Sequence, residues 1–355
     1  MTETLSAADL RDWLRDGRPI IDVRAPTEFA QGSVTAAVNL PILDDEQRHQ
    51  VGIRFKSAGQ AAAIELGETL VSAELKTARV HAWTQYSARF PLAPAVMCWR
   101  GGLRSGYAVE WLREAGVSAP RIEGGFKRLR HLCLAELDAF ADRDDWLVIG
   151  GRTGSGKTSV LGALDGAIDL EGYANHRGSA FGGLPEGQPT PIAFENALAI
   201  AALRHTADRI VVEDEGRLIG RLGVPRAWHE RMQRAPIALV EVPREARVAH
   251  IFAEYVGDRV TERDLAVHYL AALDRIRKRL GGDRHRIVGE MITDAFATGD
   301  AEGHRRWIER LLEWYYDPMY DYQLDRKRER IVARGSRQEI IDFVTRSSPA
   351  IEIAR

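Results

Sequence analysis

Short, almost wholly apolar runs recur along the chain, and between them apolar residues fall at helical spacing. Ile20-Ile21-Asp22-Val23, Ala37 to Leu40, Ala95-Val96-Met97, Trp146-Leu147-Val148-Ile149-Gly150, Ile210-Val211-Val212 and Ile237 to Val242 read as buried strands. Leu5 to Arg15, Ser105 to Glu114, Phe126 to Ala141, Ser159 to Leu164, Arg247 to Tyr255, Thr261 to Leu280 and Ala301 to Trp314 read as helices, most of them amphipathic, and Ser6 can cap the first. Strands alternating with helices predict an α/β fold.

At 355 residues the chain is too long for one ordinary domain. The polar stretch Asp142-Arg143-Asp144-Asp145 divides it. The expected organisation is 1–141, carrying an inserted helical segment at about 43–90, then an α/β domain over 146–260 and a helical region over 261–355. With 28% charged residues and no apolar run of the ~18 needed to span a bilayer, a membrane protein is excluded. The N-terminal residues lack the basic and apolar regions of a secretory signal, so a cytoplasmic location is expected. Two cysteines make neither a disulfide framework nor a multi-cysteine zinc site. A net charge of −2 does not announce a nucleic-acid binder.

One cysteine stands in chemically suggestive company. Cys98 ends an apolar strand and is followed by Trp99-Arg100-Gly101-Gly102-Leu103-Arg104-Ser105 and then a helix. Backbone N–H groups at a helix start, with guanidinium charges nearby, favour a thiolate and can hold an anion beside it. Asp22 and Arg24 end the first strand, where open α/β sheets place functional groups. Cys133 falls on the apolar side of its helix and reads as core.

A second centre follows Trp146–Gly150. Gly151-Arg152-Thr153-Gly154-Ser155-Gly156-Lys157-Thr158 is a complete phosphate loop between a strand and a helix. Its N–H groups wrap a phosphate, Lys157 supplies a point charge, and Thr158 can ligate Mg²⁺. The later strand ends in Glu213-Asp214-Glu215, of which Asp214 or Glu213 is the expected Mg²⁺-ordering acid. His176, Arg177 and Ser179 lie in a long glycine-rich connection whose length and composition favour function. Arg244, after a late strand, is a candidate phosphate contact.

Toward the C-terminus, Arg275-Ile276-Arg277-Lys278-Arg279, Arg284-His285-Arg286 and Arg326-Lys327-Arg328-Glu329-Arg330 flank an aromatic cluster, Tyr315 to Tyr322, expected around a turn. Basic segments beside exposed aromatics suit RNA.

Asp22-Val23-Arg24, Glu28-Phe29, Gly32-Ser33-Val34, Asn39-Leu40-Pro41, the Cys98 loop and Gly124-Gly125-Phe126 resemble the rhodanese family over residues 5–135. That family carries sulfur or selenium on the loop cysteine. With the phosphate loop, His176-Arg177-Gly178-Ser179, Phe194-Glu195-Asn196 and Tyr315–Tyr320, the order of motifs is similar to the tRNA 2-selenouridine synthase family. The resemblance implies a rhodanese-like parallel-sheet domain, then a P-loop domain with a helical extension. It implies a tRNA-modifying transferase that S-geranylates wobble 2-thiouridine from geranyl diphosphate and then replaces the S-geranyl group with selenium from selenophosphate. No tightly bound cofactor is expected, Mg²⁺ would come with the diphosphate, and the enzyme that makes selenophosphate is a candidate partner. Cys98 either forms a covalent selenium adduct or only positions the donor. Competing readings are an ATP-dependent sulfurtransferase using a Cys98 persulfide, and a non-enzymatic binding module.

Overall fold

The computed structural model describes residues 3–347. The chain divides into two compact units: Met1–Phe140 with Thr190–His205, and Ala141–Pro189 with Thr206–Arg355. All six expected strands form, some a residue or two shorter or longer than the apolar runs. No described helix is long and apolar enough to cross a membrane.

In the first unit the order is β1 (Thr4–Leu5), α1 (Ala7–Arg15), β2 (Ile20–Asp22), α2 (Pro26–Ala30), β3 (Ala37–Asn39), α3 (Asp45–Leu70), α4 (Ala73–Ser87), β4 (Ala95–Met97), α5 (Leu103–Glu114), β5 (Arg121–Ile122) and α6 (Gly125–Ala141). Five parallel strands order as β1-β5-β4-β2-β3. The register pairs Asp22 with Met97, so Cys98 and the residues after Asp22 leave the same edge of the sheet. Ser6 caps α1 as expected, in a capping box with Asp9. The inserted segment is two helices. Asp44 and Gln47 box the start of α3, Ser72 caps α4, and a non-helical Gly59 breaks α3. Trp83 of α4 anchors the insertion: it is fully buried, stacks on Trp111 and donates its indole N–H to Leu40 O at 2.9 Å.

Asp22 and Arg24 are wholly buried and serve as scaffold. Arg24 Nη2 meets Asp22 Oδ2 at 2.6 Å and also donates to Gly32 O, while Nη1 donates to Glu28 O. The guanidinium lies 3.8 Å from the centre of the Phe126 ring and 5.7 Å from that of Trp99, and so props the cysteine loop from beneath. Arg24→Met strands a buried carboxylate and should cost about 3–5 kcal/mol in urea unfolding. The Asp22→Leu, Arg24→Met pair should recover part of that loss. Equal losses in the two variants would mean that the pairing is unimportant.

The second unit contains β6 (Trp146–Gly151), α7 (Lys157–Gly162), β7 (Ala167–Ile168) and α8 (Leu170–Tyr173). The chain then gives α9 (Pro191–Arg204), which packs with the first unit. It returns as β8 (Ile210–Glu213), the two-stranded β9 (Leu218–Ile219) and β10 (Leu222–Gly223), α10 (Arg226–Met232), β11 (Ile237–Val240) and α11 (Arg244–Ile251). A helical array follows: α12 (Arg263–Leu280), α13 (Gly282–Thr298), α14 (Ala301–Leu311) and α15 (Asp317–Arg326), then β12 (Ile331–Gly335) and α16 (Arg337–Arg346). The main sheet is parallel, in the order β12-β11-β6-β8-β7.

Two expectations need correction. Residues 261–347 are not all helical, because β12 re-enters the sheet as its edge strand beside β11; residues 348–355 lie outside the described chain. The aromatic cluster is not at a turn. A wide helical turn at Leu312–Tyr316 runs directly into α15, whose first turn accepts Pro318. Phe194-Glu195-Asn196, which follows the phosphate loop in the order of motifs, lies in α9 and belongs to the first unit. Asn196 is buried in the first unit, donating to Ser33 O and accepting from Arg130, which also pairs with Glu195.

Candidate active sites: a cysteine loop and a phosphate loop

Cys98 leaves β4 on a loop fixed by glycine. Gly125 has φ +57°, and a Cβ there would stand 2.2 Å from Cys98 O. This close approach lets Phe126 N and Lys127 N, in the first turn of α6, donate to the carbonyls of Cys98 and Trp99. Cys98 is 3% exposed, and its Sγ lies 3.2 Å from Ser105 Oγ. Ser105 is fully buried and can also donate to Gly102 O at 3.2 Å. One hydroxyl proton serves one acceptor at a time. With a thiol, S–H points to Oγ; with a thiolate, the Ser105 O–H turns to the sulfur. Nothing caps the start of α5 with a side chain, which leaves its first N–H groups available to an anion.

The two loop arginines differ. Arg104 forms a bidentate pair with Glu28, so its charge is balanced. Burial opposes both charges, yet the pairing holds Arg104 above and Glu28 below its ordinary range. Arg100 is exposed and lines, with Cys98, Trp99, Gly102 and Leu103, a groove of about 1270 Å³. Glu28 belongs to the site although the sequence offered it only as part of a motif.

In the second unit the phosphate loop leaves β6 and enters α7, bordering a pocket of about 220 Å³. Thr153, Gly154, Gly156, Lys157 and Thr158 line it, as do His176, Arg177, Ser179, Glu171, Glu215, Tyr255 and Tyr320. Lys157 Nζ lies 3.5 Å from Gly151 O. Burial works against its charge, but Tyr320, Glu215, Glu171 and Glu213 outweigh it and hold the ammonium above its usual range. Burial, then the Glu215 charge, pushes the Glu171 carboxyl up to about 8. Burial likewise raises Glu215, partly offset by Lys157. His176 is held below its usual value by burial and by Arg275 and His268. Arg177 stacks on Tyr255 at 4.8 Å, and Ser179 Oγ meets Tyr255 Oη at 3.0 Å.

The acids after β8 behave differently from expectation. Asp214 is tied to Lys327 Nζ at 2.6 and 2.7 Å, and buried Glu213 accepts from Glu171 N. Burial raises the Glu213 pKa well above the ordinary range, which disfavours an anionic ligand there. Of these three acids, Glu215 lines the pocket. No cluster of three or more His, Cys, Asp or Glu able to hold a metal occurs among the described residues. Arg244 is half exposed, 3.4 Å from Asp317, and does not line the pocket. The arginines that matter to the loop are buried Arg247, which donates to Thr153 O at 3.2 Å and pairs with Asp317, and Arg337, which donates to Ser155 O at 2.7 Å. Arg152 pairs with Asp321. These arginines act on carbonyls and carboxylates that the local sequence does not reveal.

The basic C-terminal stretch is less free than its composition suggests. Lys327 holds Asp214, and Arg330 donates to Met232 O and Ala235 O. Arg286, Arg305, Arg306 and Arg310 meet surface carboxylates. Tyr316 is buried, and Tyr322 is the strongly exposed aromatic of the cluster, with Arg326 over its ring.

A loop thiol held at the edge of a parallel sheet and a strand–loop–helix phosphate cradle define a rhodanese-like unit and a P-loop unit. Family models agree: a rhodanese-like domain matches residues 6–131, and the AAA domain of tRNA 2-selenouridine synthase matches residues 144–350. The chain is 45% identical to a tRNA 2-selenouridine synthase of Sulfurovum sp., covering 97% of this chain and 99% of that one. It is 44% identical to one of Marinobacter nauticus, over 92% and 93%. The chain belongs to the tRNA 2-selenouridine synthase family and is an enzyme of that type.

Proposed function

We propose that this enzyme converts wobble 2-thiouridine of tRNA to 2-selenouridine in two steps, S-geranylation from geranyl diphosphate and then selenation from selenophosphate. The observation that carries this reading is the pairing, in one chain of this family, of a thiol loop with an open helix start and a diphosphate-sized pocket around Lys157.

In the first step the thiocarbonyl sulfur attacks C1 of the geranyl chain and the C–O bond to diphosphate breaks. The N3 proton is lost, leaving a neutral S-geranyl nucleoside. Lys157 and the loop N–H groups stabilise the charge gathering on the leaving group. Arg247 and Arg337 hold the loop carbonyls in place so that this cradle is preformed. Where Mg²⁺ accompanies the diphosphate, Thr158 and Glu215 are the pocket residues that would hold it.

In the second step selenium must reach C2. Selenium in selenophosphate is already at the selenide level, so a sulfur–selenium bond on Cys98 would require an oxidant. The balanced covalent route runs through carbon. Cys98 adds to C2, and geranyl thiol departs with the thiol proton. The selenium of selenophosphate then adds to C2, Cys98 leaves as the thiol, and water takes the phosphoryl group as phosphate. Withholding selenophosphate should therefore trap an RNA–protein adduct on denaturing gels.

The deciding experiment incubates the enzyme with 2-thiouridine tRNA, geranyl diphosphate and selenophosphate and analyses nucleosides by mass spectrometry. S-geranyl-2-thiouridine should form first and 2-selenouridine afterwards. Selenation or thiolation that instead requires ATP would overturn the reading in favour of an ATP-dependent transferase.

A pH effect follows from Glu171. The carboxyl is neutral below about 8, so inorganic diphosphate should bind well at pH 7 and more weakly as pH rises past 8 and a negative charge appears in the pocket. Calorimetric titration of the wild type and Glu171→Gln checks this, and the variant should lose that part of the weakening.

A further inference from the structure

The groove beside Cys98 is far larger than a selenium anion needs, at about 1270 Å³. One wall is the inserted helix α3, which presents Ile53 and Phe55 to the groove with 54% and 55% of their surfaces exposed. Leu103, at the start of α5, adds a third exposed apolar side chain at 49%. Scattered exposed apolar residues need no explanation, but three around one groove beside a reactive thiol call for an apolar ligand. The same groove carries the exposed cations Lys56 and Arg100, and Arg48, which lies 3.6 Å from Glu28. Apolar wall and cationic flank together match an amphiphile, an apolar chain joined to a polyanion. Among the molecules of the two-step sequence that reach Cys98, S-geranylated RNA has both parts.

We propose that this groove binds the ten-carbon chain of the S-geranylated nucleoside, with Lys56 and Arg100 facing RNA phosphates, so that the geranyl group is the handle that brings C2 to Cys98. The inference rests on the two-step reading above. It gives the α3–α4 insertion a purpose: it supplies the apolar wall that a site handling only a small anion would not require.

The test uses the full chain, selenophosphate and anticodon stem-loop RNAs whose 2-thiouridine is S-alkylated with either geranyl or methyl. Selenation kcat/KM in the wild type should favour the geranyl RNA by on the order of a hundredfold, because many methylene contacts separate the two. Ile53→Ala with Phe55→Ala should lower kcat/KM for the geranyl RNA about tenfold, chiefly through KM, and leave the methyl RNA unchanged. Phe55→Leu, which keeps apolar bulk, should retain the preference. Equal wild-type rates on the two RNAs, or an equal loss on both in the double variant, would overturn the proposal. Should the double variant fail to fold, the wild-type comparison decides alone. Geranylation of 2-thiouridine RNA by the wild type, run in parallel, reports on the two-step reading itself. A wild type that geranylates but shows no geranyl preference in selenation refutes the groove alone. A wild type that does neither refutes both.

Discussion

Cys98→Ser is expected to abolish selenation and to leave S-geranylation intact, so that nucleoside mass spectrometry shows S-geranyl-2-thiouridine accumulating. The loss should be on the order of a thousandfold or more, because a hydroxyl in place of the thiol is a far weaker nucleophile at neutral pH. Folding should be little affected. Serine is close in size, and the loop is held by its backbone, through the Phe126 and Lys127 N–H bonds and the close approach of Gly125. Undiminished selenation by this variant would remove Cys98 from the chemistry, and a loss of both steps together would point to a structural role.

Lys157→Ala should have the complementary effect. Geranylation should fall on the order of a hundred- to a thousandfold, as expected when a donor to a developing anionic charge is removed from a buried site. Selenation of supplied S-geranylated tRNA should continue. The variant also removes the ammonium from the pocket, so weakened diphosphate binding should accompany the loss. If geranylation survives, the phosphate loop does not hold geranyl diphosphate. If supplied S-geranylated tRNA also fails to react, the two centres are not separable.

Much of the fold was legible because its central strands are buried on both faces and so appear as unbroken apolar runs. The strand before Cys98 and the strand before Gly151 are wholly buried, and the glycine loops after them name their own chemistry. What stayed hidden depended on contacts distant in sequence. Helix α9, around Phe194 and Leu198, was not read from the sequence, and it packs in the first unit against residues distant along the chain. Ile331 to Gly335 is only partly buried and carries Arg334, so an edge strand passed for the end of a helical region. Glu171 and Glu215 are ordinary acids in the sequence. Burial beside Lys157 alone makes them part of the pocket. Arg244 follows a strand, and Arg247 is one helical turn further on. The buried Asp317 carboxylate takes Arg247 by a bidentate pair and meets Arg244 more loosely.

The helix α9 also bears on how the protein is made. The first unit is built from two pieces of chain, and its last piece, Thr190–His205, is translated after the phosphate loop. A ribosome that has completed residues 1–141 has therefore not yet supplied the side chain of Asn196 that meets Ser33 and Arg130. Domains generally fold as units during synthesis, N-terminal first. Here the earlier unit finishes only when the later one is already under way. Nascent chains arrested with residue 205 outside the exit tunnel should resist protease in their first unit, and chains arrested before residue 190 should not. Dividing the chain at the linker near residue 142 would likewise deprive the cysteine-bearing half of a helix it needs and leave the other half carrying one it cannot bury.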